Sequence, residues 1–291
     1  MTKLIRAGVH RYFKSRTFRI ALLLSFGLGL LGGARTSETF TFDEFFITIG
    51  FLLIAVTVSF AVGQEYGEGQ FRNKLVAGHG RGEIFFSELM LSLGGTAVMF
   101  LLMAAGFSVF NYELFGAVGY DIMMSVFVGS LLGCLAAAGV YLAVSCLIPN
   151  RAVAVVLNAV LLIVAVNAYS RIAVALNQSE FYYIVSSDQM PQEGEEMPLP
   201  SRPEGERVDN PFYVGGVKRQ VFNFVQKASP FGIERQYTDI VKKYFLATDG
   251  LPLDDEDKDR SEILPLPLYP LGVLVAVTAV GYLAFRRKEF K

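Results

Sequence analysis

The residues best placed to do chemistry lie between Glu65 and Glu88, in EYGEGQFRNKLVAGHGRGEIFFSE, a stretch with seven charges and five glycines. Its glycines suggest a loop whose backbone N–H groups cradle a phosphate, and its histidine suggests a metal ligand. Neither reading survives the spacing. A phosphate loop needs its glycines between a strand and a helix, with Lys and Ser/Thr to follow. Here GHGRGE lies between two apolar runs, and no lysine–hydroxyl pair follows it. The only histidines are His10 and His79, so a histidine-based metal site would need both.

A calcium reading of DDEDKDRSE fails in the same way. With Asp255, Asp257 and Asp259 as the first three ligands, a helix–loop–helix calcium site requires Gly where Arg260 stands and Glu where Leu266 stands. A solvated acidic run is the simpler reading. HExxH, GxSxG and GxxxxGK[ST] are absent from the chain. Cys134 and Cys146 share one apolar block and are separated by about 18 Å of helical rise, too far to pair within it. These residues predict a protein that is not an enzyme and carries no cofactor or metal of its own.

The elements that hold these residues are apolar blocks. The chain has 291 residues, 53% hydrophobic and 18% charged, against about a quarter charged in soluble domains. A helix needs about 20 apolar residues to cross the hydrocarbon core. Six blocks qualify: Ile20–Ala34, Phe45–Val62, Leu89–Phe110, Ile122–Ile148, Ala152–Ser170 and Leu268–Phe285. The fold class expected is therefore an all-α polytopic membrane protein with six transmembrane helices.

Charge orients these spans, because short loops rich in Lys/Arg stay cytoplasmic. Lys3, Arg6, Arg11, Lys14, Arg16 and Arg19 precede the first span. Arg72, Lys74 and Arg81 lie between the second and third, Arg151 between the fourth and fifth, and Arg286, Arg287, Lys288 and Lys291 after the last. Six spans place all of these on one side and both termini in the cytoplasm. The opposite side receives Arg35, a loop between Asn111 and Asp121 without Lys/Arg, and a long acidic loop.

Residues 1–16 read as an amphipathic interfacial helix on the anionic inner leaflet, lipids being its partner. Ile5, Val9, Tyr12 and Phe13 share one arc, while Lys3, Arg6, His10, Arg11 and Lys14 share the other. A cleaved signal peptide is the rival reading, but losing the first span would spoil the charge alternation. Residues 17–178 then hold spans 1–5 with the polar loop 64–88, residues 179–262 an extracellular acidic domain, and residues 263–291 the sixth span and basic tail. The outer domain has ten Lys/Arg against seventeen Asp/Glu. With no basic face interleaved with aromatics, a nucleic-acid partner is not expected. The Pro/Glu-rich stretch 186–211 is expected to be extended or poorly ordered. Residues 213–245 show helical periodicity, broken by Ser229–Pro230 and Gly232 into two helices expected to cap the membrane domain.

Within the spans, Asn158 and Asn167 are the deepest strongly polar side chains. Interhelical hydrogen bonding is their default role, and contact with a transported substrate the sharper one. Glu88 falls at a span entrance, from which it can reach the interface. The GxxxG spacings Gly29–Gly33 and Gly129–Gly133 permit close helix approach, within the chain or across a dimer.

In the polar loop, a short helix is expected from Gln70 to Ala77, with Phe71 and Leu75 on one side and Arg72 beside Lys74. Gly67 and Gly69 permit a turn before it, and Gly78, Gly80 and Gly82 one after it. The expected product is a helical element held out from the membrane. The order of elements resembles ABC-2 type permeases, the membrane subunits of ATP-binding-cassette exporters. Glu65, Gly69, Arg72, Leu75 and Arg81 occupy the places of that family's local motif. FRNKLVAGHGR is similar to permeases of Gram-positive bacteria. Gln70 replaces the usual Thr, and Glu88 stands where a Lys is often found.

That resemblance implies a coupling helix between spans 2 and 3, docked on a separate ATP-binding subunit that carries the ATP and Mg. Glu65, Gly69, Phe71, Arg72, Lys74, Leu75 and Arg81 would form the docking region. Arg72, Lys74 and Arg81 would make its polar contacts, and Phe71 and Leu75 would be its apolar anchors. It also implies a second permease copy or a related permease as partner, export of an unidentified substrate, and residence in a bacterial plasma membrane. The alternative from another class is a membrane-anchored sensor or scaffold whose outer domain binds a ligand without transport.

Overall fold

The computed structural model describes residues 2–39, 44–118, 120–184, 206–232, 236–237 and 265–288. Among the described residues six helices are long and apolar enough to cross a membrane: Arg16–Arg35, Ile47–Gly67, Arg81–Asn111, Tyr120–Leu147, Arg151–Leu176 and Leu268–Arg287. Each coincides with a block read from the sequence, so this is a multi-pass helical membrane protein. The chain divides into two compact units, one comprising Met1–Val166 with Lys227–Lys291, the other Asn167–Gln226.

The first unit begins with α1 (Thr2–Lys14), then α2 (Arg16–Thr39), α3 (Glu44–Gly67), α4 (Gln70–Val76), α5 (Arg81–Val118), α6 (Tyr120–Leu147) and α7 (Arg151–Leu176). The helix α7 continues into the second unit. Small residues bring α2 and α5 together. Gly29 touches the Met103 backbone, a Cβ at Gly33 would lie 2.8 Å from the Phe107 carbonyl oxygen, and one at Gly106 would lie 2.5 Å from that of Phe26. The Gly29–Gly33 pair thus serves a contact inside the chain. Asn111, whose φ of −123° interrupts α5, donates to the Gly33 carbonyl at 2.8 Å and closes that seam.

The amphipathic α1 bends into α2 at Ser15, where Tyr12 and Phe18 stack at 4.4 Å between centroids. Its Val9 and Phe13 are exposed as an interfacial helix requires, but one face departs from the expected wheel. Gly8 lies against Leu91 and Tyr12 against Gly95, so that face packs on α5 instead of lipid. Arg11, on the basic arc opposite the apolar one, pairs with Glu65.

The second unit holds the end of α7, then β1 (Phe181–Ile184), β2 (Glu206–Asp209) and α8 (Gly216–Ala228). The strands pair antiparallel, Phe181 opposite Asp209 and Ile184 opposite Glu206, with the Arg207 guanidinium 3.7 Å over the Phe181 ring. This two-stranded sheet is an addition to the all-helical expectation. Residues 206–209 fall in the stretch read as extended or poorly ordered; they are extended and paired. Arg219 donates to the Leu176 carbonyl at 3.0 Å and Gln226 to the Tyr169 hydroxyl at 3.2 Å, so α8 runs back along the end of α7. Val217, Val221 and Phe224 remain exposed on it.

The break expected at Ser229–Pro230 is where α8 ends, and residues 230–232 and 236–237 are helical again. These residues belong to the first unit, where Phe231 meets Phe51 edge-on at 4.5 Å and Tyr237 lies buried against Gly129. The remaining readings for this loop, including Ile240–Phe245 and the acidic run at 254–262, lie outside the described residues. The last helix, α9 (Leu268–Arg287), packs on α5 and α6, with Gly281 against Ala143 and Phe85.

Candidate functional site

The polar stretch folds as a turn, a helix and a turn. Gly69 adopts φ 65° and Gly78 φ 86°, left-handed backbone that favours glycine, and between them α4 makes two turns. Its end is closed by backbone bonds from Gly78 to the Leu75 carbonyl at 3.0 Å and from His79 to the Lys74 carbonyl at 3.1 Å. The side chain of Gln70, which stands where the resemblance expects Thr, reaches Glu68 instead of capping the helix. Gly69, the N-cap residue, makes no side-chain cap bond.

The helix has an inner and an outer face. Phe71 is buried, its ring 4.5 Å from Tyr66 and 5.9 Å from Phe285, and Leu75 packs partly buried against the same core. Lys74 also points inward, its side chain only 14% exposed. Arg72, Asn73 and Val76 face outward, Val76 being 82% exposed. Of the apolar anchors and cations read as docking contacts, then, Phe71, Leu75 and Lys74 engage the chain's own interior. Arg72 stands on the surface, and half-buried Arg81 donates to the Arg286 carbonyl at 2.5 Å. The expected element is present, and its inner face is packed and ion-paired against the helices on either side.

The clamp is ionic. Lys74 Nζ lies 2.7 Å from Glu88 Oε1 and pairs also with Glu65, which in turn pairs with Arg11. Two cations and two carboxylates so link α1, α3, α4 and α5. Glu88 corrects the sequence reading: it is a buried partner of Lys74 on the second turn of α5, not an interfacial residue. Its position inside an apolar helix demands a counter-charge, because an isolated buried carboxylate is costly. Burial pulls the Lys74 ammonium down, but Glu88 and Glu65 pull it up by more, so its pKa ends above the ordinary value. Glu68, outside the clamp, is held below the usual carboxylate range by the Gln64 amide. Tyr12, which sits near Glu88, has its phenol pushed up by burial and by that carboxylate.

The tail completes the site. Lys288 donates to the Tyr66 hydroxyl at 2.7 Å and to the Cys146 carbonyl at 3.0 Å, and Tyr66 bonds that same carbonyl. Burial lowers the Lys288 pKa. The ends of α3, α6 and α9 and the start of α5 therefore meet beneath α4.

Farther along the spans, Asn158 is fully buried and donates to Ser59 Oγ at 2.8 Å, Ser145 Oγ at 2.9 Å and the Tyr141 carbonyl at 3.1 Å. It ties α7 to α3 and α6, as the interhelical reading expects. Asn167, the other deep asparagine, is exposed. The sequence reading named neither Arg11 nor Glu88 as a site residue. The available signal was three charges, Glu65, Lys74 and Glu88, flanking apolar helices closely enough to need one another.

The class these features define is a helical membrane protein with a short, turn-bounded helix ion-paired to the spans on either side of it. Comparison with protein-family models and with curated proteins returns no match.

Proposed function

We propose that this chain is the permease subunit of an ATP-binding-cassette exporter of the ABC-2 type, with α4 as its coupling helix. The observation that carries this is the two-faced geometry of α4. Its outer face offers Arg72, Asn73 and Val76, while its inner face is joined through Lys74 to α3 and α5. A force on the outer face is therefore delivered to two spans at once, which is what coupling to a separate motor requires. In this reading ATP and Mg are bound by the partner subunit, and both termini are cytoplasmic, in accord with the distribution of Lys and Arg. A second permease then completes the pathway through a bacterial plasma membrane, and this chain selects and gates a substrate without covalent chemistry.

The test is photo-crosslinking from a benzoylphenylalanine placed at Val76 in native cells. The reading expects an adduct with an ATP-binding subunit and weaker capture when Arg72 is reversed to Glu. Labelling of lipid or solvent alone, with no ATPase co-purifying, would sink it in favour of a membrane sensor or scaffold.

A further inference from the structure

Beside the ionic clamp the first unit contains a cleft of about 880 Å³, bounded by the α1–α2 bend, the end of α3 and the turn before α7. Its volume falls within the roughly 300–1,000 Å³ typical of small-molecule sites. Its lining divides by chemistry. Phe60, Ala61 and Ala152 form an apolar wall, with Phe18 and Leu91 buried behind it, whereas Lys14, Arg16 and Arg151 stand at the rim.

The rim cations have no carboxylate partner among the described residues. Lys14 and Arg16 are exposed, and the Arg151 guanidinium lies 5.0 Å over the Phe60 ring, where it remains open to an anion. Gly63 permits this, since any Cβ there would come 2.7 Å from that of Arg151. The carboxylates in the lining do not cancel the rim. Glu65 and Glu88 are already matched by Arg11 and Lys74, which leaves Glu68, bonded by the Gln64 and Gln70 amides, as the one acid against three bases.

Position decides what such a cleft holds. Two membrane-crossing helices begin at its rim, at Arg16 and Arg151, and a third ends there at Gly67. The cleft therefore straddles the boundary between headgroups and hydrocarbon. A soluble anion would leave the apolar wall uncovered, whereas an anionic lipid satisfies wall and rim together.

We propose that this cleft is a binding site for one anionic glycerophospholipid, its phosphate between Arg16 and Arg151 and its upper acyl chain on Phe60, Ala61 and Ala152. The site needs only the membrane and not an ATPase partner. A bound lipid would fasten the α1–α2 bend to α3 and α7, next to the clamp that holds α4.

Spin-labelled phosphatidylglycerol and phosphatidylcholine, each added to the full chain in phosphatidylcholine nanodiscs, test this directly. The immobilised fraction should favour phosphatidylglycerol by roughly tenfold, as expected for a few basic groups acting on one phosphate. The preference should fall toward that of phosphatidylcholine in R16Q/R151Q, survive largely in R16K/R151K, and remain intact in K218Q/R219Q on α8. Lys14→Gln, at the exposed end of α1, should weaken it partially even if the double variant folds poorly. Equal immobilisation of both lipids by the unaltered chain would overturn the proposal, as would an unchanged preference in R16Q/R151Q. Displacement of the lipid by millimolar inorganic phosphate would overturn it in favour of a soluble-anion site.

Discussion

Lys74 Nζ sits 2.7 Å from Glu88 Oε1 with Glu65 on its other side, so one ammonium joins the spans that precede and follow the polar loop. Removing one partner of a buried ion pair costs about 3–5 kcal/mol, because the remaining charge is left uncompensated. Lys74→Ala should therefore lower the thermal stability of the purified chain sharply. Adding Glu88→Gln to it should recover much of the loss, since the buried carboxylate left behind is then neutral while Glu65 keeps Arg11. Thermal unfolding in one detergent, across the single and double variants, checks the sign and the recovery.

The same pair fixes a pH dependence. The folded-state pKa of Lys74 lies above its ordinary value of 10.5, the two carboxylates outweighing burial. A group raised in this way contributes its full stabilisation below the unfolded pKa and loses it as pH climbs through the folded one. On the alkaline side, the difference in melting temperature between the unaltered chain and Lys74→Ala should thus shrink only as pH rises above about 10. A gap unchanged through that alkaline range would mean that Lys74 is not the group held by the carboxylates.

Helix approach makes a matched prediction. Gly29 meets the Met103 backbone, which cannot move aside as a side chain can, while a Cβ at Gly27 would meet nothing within 4 Å. Gly29→Ala should cost about 1–3 kcal/mol through overpacking. Gly27→Ala should be neutral or slightly stabilising, since alanine is the better helix former. Reversible unfolding measured by steric trapping in bicelles distinguishes the two.

Asn158 is the polar counterpart. Its amide bridges Ser59, Ser145 and the Tyr141 carbonyl, joining three helices. Interhelical hydrogen bonds in membranes average about 0.6 kcal/mol and reach about 1.7, so Asn158→Ala should cost about 1–2 kcal/mol for the network. The same unfolding assay checks it.

What the sequence made legible follows from the range over which each signal acts. The spans were readable because a run of apolar residues carries its own meaning in lipid. The turns at Gly69 and Gly78 were readable because backbone preference is local. Glu88 was misjudged because its partner, Lys74, comes from another helix, and no periodicity along α5 encodes that. The Arg11–Glu65 pair was hidden for the same reason: the wheel of α1 shows which arc is basic, not which carboxylate lies across from it. The β1–β2 pairing was hidden by the proline- and glutamate-rich segment between the strands. Phe181 and Tyr182, residue types that favour strands, were the one clue to it.

The two faces of α4 should separate by experiment, and that separation bears most on function. Phe71 is buried between Tyr66 and Phe285, so Phe71→Ala removes core packing and should cost about 3–5 kcal/mol of stability. Val76 is 82% exposed and Arg72 also faces out, so Arg72→Glu and Val76→Asp should leave the melting temperature nearly unchanged. If α4 is the coupling helix, those surface changes should nevertheless depress substrate-stimulated ATPase activity of the reconstituted complex. Arg81→Glu should do so with some loss of stability, because Arg81 also bonds the Arg286 carbonyl. Normal stimulation in both Arg72→Glu and Arg81→Glu would remove the docking role from this face. Failure of Phe71→Ala alone would not, since a loosened helix fails whatever it touches.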